Sequence, residues 1–409
     1  MQTAREVEDT AAEVRERLSA FVAEMVAGFA HVRQRENALT YVRGLVEHGG
    51  RKSLWPTLFR LGEDAARYES LQQFLADSPW EHTLLIRACA ERVVSVIEPS
   101  AWVIDDTGIP KDGTHSPGVK RQYSGTLGKV DSCQIAVSLH GVGEGGTVPL
   151  GWALYLPEEW ATDEERRRRA KIPPEVGFQT KPELAATLAE TAARWDIPRA
   201  PLLADAAYGD NTALRTRLDA AGLTYVLSLS GDICVFGPGT TFAVPRRTSG
   251  RGRPPSALRP DRSPLSVSSL ADALPPEAFT VLPFRTTPAG EPVESRFACI
   301  RVTAAHPVQR DHLPPRTEWL VIEWPEGAAV PTDYWLSNLP ADTEPEKLAR
   351  LCRLRWMIEL DYRQLKGELG LDHYEGRSYA GFHHHCALVT CAHAFLTTER
   401  LCPKVPRPD

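Results

Sequence analysis

Three carboxylates in this chain of 409 residues lie where a charged group can be held in place. Asp105 ends an apolar run at residues 101–104, Asp205 ends a second run at residues 201–204, and Glu359 lies in a long helical stretch. Two aspartates at strand ends and a glutamate on a helix can bind a pair of Mg²⁺ ions, which prefer oxygen ligands. Such a pair activates a water or a 3′-hydroxyl and stabilises the leaving oxygen during attack on a phosphodiester. The three positions therefore predict a metal-dependent nuclease site.

Helix geometry links the glutamate to two basic residues. If one helix runs from Glu344 to about Gly370, Glu359 lies about 40° around it from Arg355, and Lys366 lies about 20° from Arg355. One acid beside two bases suits a metal site that also holds phosphates. The alternative is an exposed face of i,i+4 ion pairs, worth only ~0.3–0.5 kcal/mol each.

Charge is the next constraint. A formal net charge of −6 gives no global attraction to a polyanion. Basic residues are nevertheless concentrated locally, because Arg166 to Arg169 form a continuous run, and Lys111, Lys120 and Arg121 follow the first aspartate. We expect these last three residues to contact DNA phosphates. Arg251-Gly252-Arg253-Pro254 is a further candidate for a narrow minor groove.

Composition indicates the class of protein and its cellular compartment. No apolar run approaches the roughly 20 residues of a membrane helix, and the N-terminus has no signal-peptide pattern. The eight cysteines form no C-x-x-C pair, which is typical of a reduced cytoplasmic protein. The consecutive histidines His383 to His385 lack the usual spacing of zinc ligands.

Periodicity divides the chain into four parts. Residues 1–98 have helical spacing, as at Leu18, Phe21 and Met25, and form a predicted helical N-terminal domain. Residues 99–233 alternate strands and helices, which predicts the first part of an α/β core. Residues 234–338 are a predicted β-rich insertion with an Arg- and Pro-rich loop, and residues 339–409 are C-terminal helices that complete the core.

The order of the motifs adds a family resemblance. Arg355, Glu359 and Lys366 resemble the Arg-x3-Glu-x6-Lys signature of bacterial insertion-sequence transposases of the DDE superfamily. Asp105-Asp106-Thr107 looks like the first-aspartate motif of that family, Asp-x-Thr, and the segment 204–210 looks like the second. The segment 376–385 resembles the one that follows the glutamate helix. The interval between Asp205 and Glu359 is long enough for the β-strand insertion of this branch.

The resemblance implies an α/β, ribonuclease-H-like catalytic core and a cut-and-paste mechanism with two Mg²⁺ ions, for which Mn²⁺ can substitute. Asp105, Asp205 and Glu359 would be the catalytic metal ligands, and Arg355 and Lys366 would hold phosphates. The partners implied are double-stranded DNA, as terminal inverted repeats and as target. The N-terminal helices would bind the repeats, and because two ends must be joined, we expect a homodimer in the DNA complex. The bacterial cytoplasm, in association with the nucleoid, is the expected location.

Two other classes of function compete with this interpretation. A domesticated DNA-binding protein would keep the fold and the basic surfaces without catalysis; Cys352, which stands where the fuller signature has a tyrosine, favours it, and the intact triad opposes it. A metal-dependent hydrolase of a small phosphorylated substrate would explain the carboxylates and the acidic balance. It would not explain the Arg-rich loop or the ordered motifs.

Overall fold

The structure is a computed structural model that describes residues 4–125, 128–245, 258–287, 289–309 and 314–401. The Arg251-Gly252-Arg253-Pro254 candidate lies outside the described residues. The chain divides into two compact units. Unit 1 comprises Met1–Pro198 and Met357–Asp409, and unit 2 comprises Arg199–Trp356.

Unit 1 begins with five helices. Their apolar stripes are buried, as at Leu18, Phe21 and Met25 of the first helix, and this burial explains the helical spacing of the sequence. Asp64 caps the fourth helix by accepting a hydrogen bond from Arg67 N at 2.9 Å. The helices are α1 (Ala4–Met25), α2 (Val32–Val46), α3 (Leu54–Leu61), α4 (Ala65–Ala76) and α5 (His82–Ile97).

An antiparallel sheet and three helices follow in unit 1. The strands are β1 (Ala101–Pro110), β2 (Lys120–Ser124), β3 (Lys129–Gly143) and β4 (Gly146–Tyr155). Strand β3 pairs with each of the other three. Helices α6 (Glu158–Thr162), α7 (Glu164–Arg169) and α8 (Lys181–Ala192) come next, and α8 packs on β3 and β4.

Unit 2 is built around a second, larger set of strands. Its elements are β5 (Leu202–Ala204), α9 (Ala206–Gly209), α10 (Thr212–Ala220), β6 (Tyr225–Leu229), β7 (Cys234–Phe236), β8 (Phe242–Ala243), β9 (Arg259–Pro260), β10 (Leu265–Ser266), α11 (Val267–Asp272), β11 (Thr280–Thr286), β12 (Pro292–Ala304), α12 (Ala305–Gln309), β13 (Thr317–Trp324), β14 (Asp333–Ser337) and α13 (Pro345–Leu354). The strand order is β10-β7-β12-β13-β14-β6-β5, with β11 also paired to β12. Strands β5 and β6 are parallel, and the other pairs in this order are antiparallel.

The chain returns to unit 1 with α14 (Met357–Gly367) and α15 (Tyr379–Leu401). Helix α15 is buried on nearly all sides and packs against α5, α2, α4 and β4. The burial of α15 on nearly all sides explains why its sequence has no polar face. None of the described helices combines the length and the apolar character of a membrane span.

The helix predicted from Glu344 to about Gly370 is two helices. Helix α13 ends at Leu354, Arg355 and Trp356 form a turn, and α14 begins at Met357. Neither turn residue is Gly or Pro, so the break has no local sequence signal, and it coincides with the boundary between the two units. The mixed α/β architecture and the helical N-terminal region are confirmed.

Candidate active site

Asp105 lies in the middle of β1, directly opposite Ser138 of β3. Its carboxylate oxygen Oδ1 accepts a hydrogen bond from the backbone N–H of Asp106 at 2.8 Å. The neighbouring Asp106 has a different role, because its Oδ2 is 3.0 Å from the Lys181 ammonium at the start of α8. This ion pair attaches α8 to β1. Because Asp106 is engaged in it, Asp105 is the better candidate for a metal ligand of these two adjacent aspartates.

Helix α14 is fastened to the sheet beside Asp105. Tyr362 OH and Ser138 Oγ share a hydrogen bond of 2.6 Å. One turn later, Lys366 Nζ donates to the carbonyl oxygen of Gly108 in β1 at 2.7 Å. Two contacts, one on β3 opposite Asp105 and one on β1, fix both the position and the rotation of the helix.

Glu359 lies in the first turn of α14 and is exposed. It precedes Tyr362 by three residues and Lys366 by seven, so the three side chains share one helix face. That face is the one that contacts β1 and β3. The contacts therefore keep Glu359 on the side of α14 that faces the strand carrying Asp105. The angle predicted between Glu359 and Arg355 does not apply, because the helix is broken between them.

Burial and charge change the pKa of both anchoring groups. Burial raises the pKa of the Tyr362 hydroxyl, and the negative charge of Asp105 raises it further. Burial lowers the pKa of Lys366, an effect that the carboxylate of Asp372 partly opposes.

A buried polar network lies behind α14. The carboxylate of Asp361 contacts His140 Nδ1 through one oxygen and lies 2.7 Å from His393 Nε2 through the other. Thr147 Oγ1 donates to the same carboxylate at 2.8 Å, and His140 Nε2 lies 3.0 Å from Ser138 Oγ. Burial alone would raise the pKa of Asp361, but His393 and His140 hold it well below its ordinary value. The network joins α14, α15, β3 and β4.

The sequence pattern did not predict this network, and Asp361 is not among the residues to which it assigned a role. In the sequence, Gln134, Ser138 and His140 of β3 alternate with apolar residues, as in a half-solvated strand, and yet all three are buried in the structure. Buried polar groups require partners, so three of them in one strand indicate a polar core rather than a solvated sheet face.

Asp205 follows β5 in unit 2 and begins α9, where its carbonyl oxygen accepts hydrogen bonds from Tyr208 N at 3.1 Å and Gly209 N at 2.8 Å. A Cβ on Gly209 would lie 1.8 Å from Ser228 O, so only glycine permits this approach to β6. Asn211, rather than the neighbouring Asp210, caps α10. Asp210 instead accepts hydrogen bonds from Ser230 N and Oγ at 2.9 and 2.6 Å.

Two family models each match more than half of the chain. The model described as DDE superfamily endonuclease matches residues 24–286. The model described as transposase DDE domain matches residues 179–395. The chain belongs to the DDE superfamily. This membership confirms the resemblance drawn from the motifs, and together with the mixed α/β structure it confirms the predicted fold class.

A curated relative of this DDE chain is a probable transposase for insertion sequence element IS701 from Microchaete diplosiphon. The two are 32% identical over 164 residues, which is 39% of this chain and 40% of the relative. The matched region thus spans less than half of either protein. Among solved structures, the cryo-EM structure of piggyBac transposase in a synaptic complex with hairpin DNA has a TM-score of 0.38 and 10% identity, and the match covers 97% of this chain and 80% of that one.

The predicted phosphate-binding cations of this DDE chain lie in different environments. Lys111, just after β1, donates to the carbonyl oxygen of Tyr374, and burial lowers its pKa to about 8. Lys120 is exposed and pairs with Glu159 at 3.0 Å, and Arg121 is exposed on β2. Lys366 contacts β1, as described above. Arg355 lies in the turn after α13, in unit 2.

The run Arg166 to Arg169 forms most of α7 and has mixed roles. Arg167 donates to the carbonyl oxygens of Val176 at 2.7 Å and Pro173 at 2.8 Å, so it holds the following loop. Arg168 and Arg169 are exposed and both pair with Glu165. The run is therefore not a uniform set of free cations.

The predicted metal site requires all three carboxylates, Asp105, Asp205 and Glu359. Asp105 and Glu359 belong to unit 1, and Asp205 belongs to unit 2. Within the described parts of the chain, no three His, Cys, Asp or Glu side chains form a group that could hold a metal ion. The convergence of Asp105, Asp205 and Glu359 on one site stays a prediction.

Proposed function

We propose that this chain is an insertion-sequence transposase that binds the terminal inverted repeats of a DNA element and cuts and joins DNA by a cut-and-paste reaction. The main support is the attachment of α14 to β1 and β3, which keeps Glu359 on the helix face directed at the strand of Asp105. Membership of the DDE superfamily supports the same reaction class.

The donor set fits a hard divalent cation. All three proposed ligands, Asp105, Asp205 and Glu359, are carboxylates, and Mg²⁺ prefers oxygen ligands, with Mn²⁺ as a substitute. When bound, two such ions lower the pKa of the attacking water or 3′-hydroxyl and neutralise the leaving oxygen. Placing Glu359 in the first turn of α14 suits the helix dipole, which favours negative charge at that end.

The residues around the carboxylates bind and orient the DNA. Arg355 can hold a phosphate through two parallel hydrogen bonds, and the Lys366 ammonium, with one of its three donors on Gly108, has two donors left for phosphate. Lys111, Lys120 and Arg121 would extend the phosphate contacts beyond β1. Tyr362 and Ser138 position the helix and do not need to touch DNA.

The remaining parts have roles in assembly. The N-terminal helices α1 to α5 would recognise the inverted repeats, and a homodimer would bring two ends together before they are joined to target DNA. Such an enzyme works where bacterial DNA is, so we place it in the cytoplasm with the nucleoid.

The test is cleavage of the DNA that flanks the protein's own gene. Labelled duplexes of each flank are incubated with the full chain and Mg²⁺ or Mn²⁺, and the products are mapped to the nucleotide. We expect cuts at the element boundary and none in a scrambled duplex of equal length. Specific binding of both flanks without cutting in either metal would instead identify a DNA-binding protein that has lost catalysis.

A further inference from the structure

A cavity of about 430 Å³ in unit 1 has no role in the function proposed above. It lies between α3, α4 and the segment 373–378 that follows α14. Its wall is aromatic and part of its lining is basic. The aromatic side chains are Tyr41, Trp55, Tyr68 and Tyr374, and the cations are Arg169, Lys171 and Arg377.

Trp55 presents an accessible aromatic surface at this cavity. It lies in α3 with 57% of its surface exposed, and its ring meets that of Tyr68 edge to face, with centroids 5.3 Å apart. An exposed indole beside a second aromatic ring is typical of a binding surface. Phe59 in the same helix is 82% exposed but does not line the cavity. It therefore provides a matched control.

The opposite wall is preformed. Tyr374 is buried and stacks on His385, with ring centroids 5.2 Å apart, and Tyr41 OH shares a hydrogen bond of 2.8 Å with His385 Nδ1. These contacts fix two of the cavity's aromatic side chains before any ligand arrives. A ligand that enters therefore orders few side chains, which favours affinity.

The cations are accessible to an anionic ligand. Arg377 is exposed and has no ion-pair partner among the residues that the structure describes. Lys171 pairs with Asp77, and Arg169 pairs with Glu165 at 2.7 Å, both at the surface. Exposed pairs of this kind contribute little, so a phosphate can replace the carboxylate. Glu375, the acidic residue in the lining, is paired with Arg51.

The basic lining continues toward the catalytic strand. A cavity of about 440 Å³ shares Arg169 and Arg377 with the first one. A third, of about 210 Å³, shares Arg377 and is lined by Lys111, the residue that follows β1. Arg377 thus lines all three cavities, which run from beside Trp55 to the end of the strand that carries Asp105, and the third also contains the carboxylates of Asp112, Asp372 and Glu375.

We propose that the cavity beside Trp55 binds one unpaired nucleotide of a DNA strand, with the base against Trp55 and Tyr68 and the neighbouring phosphates on Arg377, Arg169 and Lys171. This proposal deepens the proposed function, because it assigns a second contact to the same DNA substrate. Aromatic faces combined with a basic groove characterise sites for single-stranded DNA. An acidic peptide would use the cations and leave the indole without a partner.

The test is binding of a fluorescent twelve-nucleotide thymidylate strand to the full chain, followed by anisotropy at several salt concentrations. Trp55→Ala should weaken binding about tenfold or more, since stacking on one aromatic side chain has that effect. Trp55→Phe should retain most of the affinity, because a phenyl ring still stacks. Phe59→Ala should bind like the wild type.

Charge is tested with a second matched pair. Arg377→Gln should reduce the slope of log K against log salt by about 0.7, the value for one phosphate contact on a single strand. Arg33→Gln removes an exposed arginine of α2 that does not line the cavity, and it should leave the slope unchanged. Thermal unfolding of each variant verifies that the fold is retained.

Two results would overturn the nucleotide site: Trp55→Ala binding the strand as well as Phe59→Ala does, or a twelve-residue glutamate peptide displacing the strand as efficiently as unlabelled thymidylate. Strand binding needs neither metal nor Asp105, so its outcome is separate from cleavage. If the protein cuts no DNA but its binding of the thymidylate strand depends on Trp55, the nucleotide site is supported and the transposase function is contradicted. If cleavage depends on Asp105 but the thymidylate strand binds equally well without Trp55, only the nucleotide site is contradicted.

Discussion

Tyr362 and Ser138 share a buried hydrogen bond of 2.6 Å that joins α14 to β3 directly opposite Asp105. The two residues are far apart in sequence, and neither belongs to the predicted carboxylate triad. Their contact nevertheless determines the rotation of the helix that carries Glu359. Positioning of the glutamate thus depends in part on a neutral hydrogen bond between two residues outside the triad.

We predict that Tyr362→Phe disturbs the position of Glu359 and therefore impairs cleavage more than it impairs binding of the element ends. The change removes one buried hydrogen bond and should lower the free energy of unfolding by about 1–2 kcal/mol. Cleavage should fall more than affinity for the element ends, because a small displacement of Glu359 affects the reaction geometry. Urea unfolding, cleavage rates and end binding are the measurements. Ser138→Ala should reproduce the effect. The double variant should lower the free energy of unfolding by less than the sum of the two single changes, because both remove the same hydrogen bond.

Glu359→Gln should nearly abolish cleavage while end binding persists. Glutamine keeps the size of the side chain but removes the charge that a hard cation requires. Loss of one negative charge near the phosphates should, if anything, tighten binding slightly. Gel-shift and cleavage assays on one DNA preparation measure both quantities. Glu368→Gln, an exposed acid just beyond the same helix, is the control and should cut normally; equal loss in both variants would contradict the assignment.

Convergence of the three carboxylates can be tested without DNA. Fe²⁺ in place of Mg²⁺ generates hydroxyl radicals when hydrogen peroxide and ascorbate are added, so bound iron should cleave the backbone near residues 105, 205 and 359 together. Each of Asp105→Asn, Asp205→Asn and Glu359→Gln should suppress all three cuts, because the ions are shared between ligands. Excess Mg²⁺ should compete. Cuts near Asp105 that survive Asp205→Asn would show that the second aspartate is not part of the site.

The buried histidines of α15 predict acid sensitivity. Burial lowers the pKa of His383 and of His385 to about 3, so between their ordinary value of 6.5 and about 3 the unfolded chain binds more protons than the folded one. Stability is therefore complete above pH 6.5 and falls as the pH drops, by up to about 1.4 kcal/mol per pH unit for each histidine. Asp361, whose pKa is depressed in the fold, adds a loss only below its ordinary value of 3.8.

Urea unfolding at a series of pH values tests this dependence. His383→Gln should reduce the slope of stability against pH below 6.5 by up to about 1.4 kcal/mol per pH unit, the contribution of one histidine, while His385, His384 and His82, whose pKa values burial also lowers, keep the rest of the slope. The slope between pH 7 and 8 should not change. An identical acid slope in the wild type and in His383→Gln would show that this histidine is not buried in its neutral form.

The residue types of the candidate site and most of the secondary structure could be predicted from local sequence patterns. Asp105, Asp205 and Glu359 stand in motifs whose order indicated a DDE enzyme, and the helical spacing of Leu18, Phe21 and Met25 appears in the structure as the buried face of α1. Such features are readable because they depend on neighbours within a few residues. Periodicity reports local geometry, and a motif reports the chemistry of its own side chains.

Contacts between groups that are distant in the chain could not be predicted in this way. The partners of Asp361 in α14 are His140 of β3 and His393 of α15, and no spacing in the sequence pairs them. The turn at Arg355 and Trp356 interrupts a stretch whose local pattern is helical throughout. Trp55 and Arg377 line one cavity although more than three hundred residues separate them. These contacts depend on how faces pack, and packing is chosen by the free energy of the whole fold rather than by any one segment.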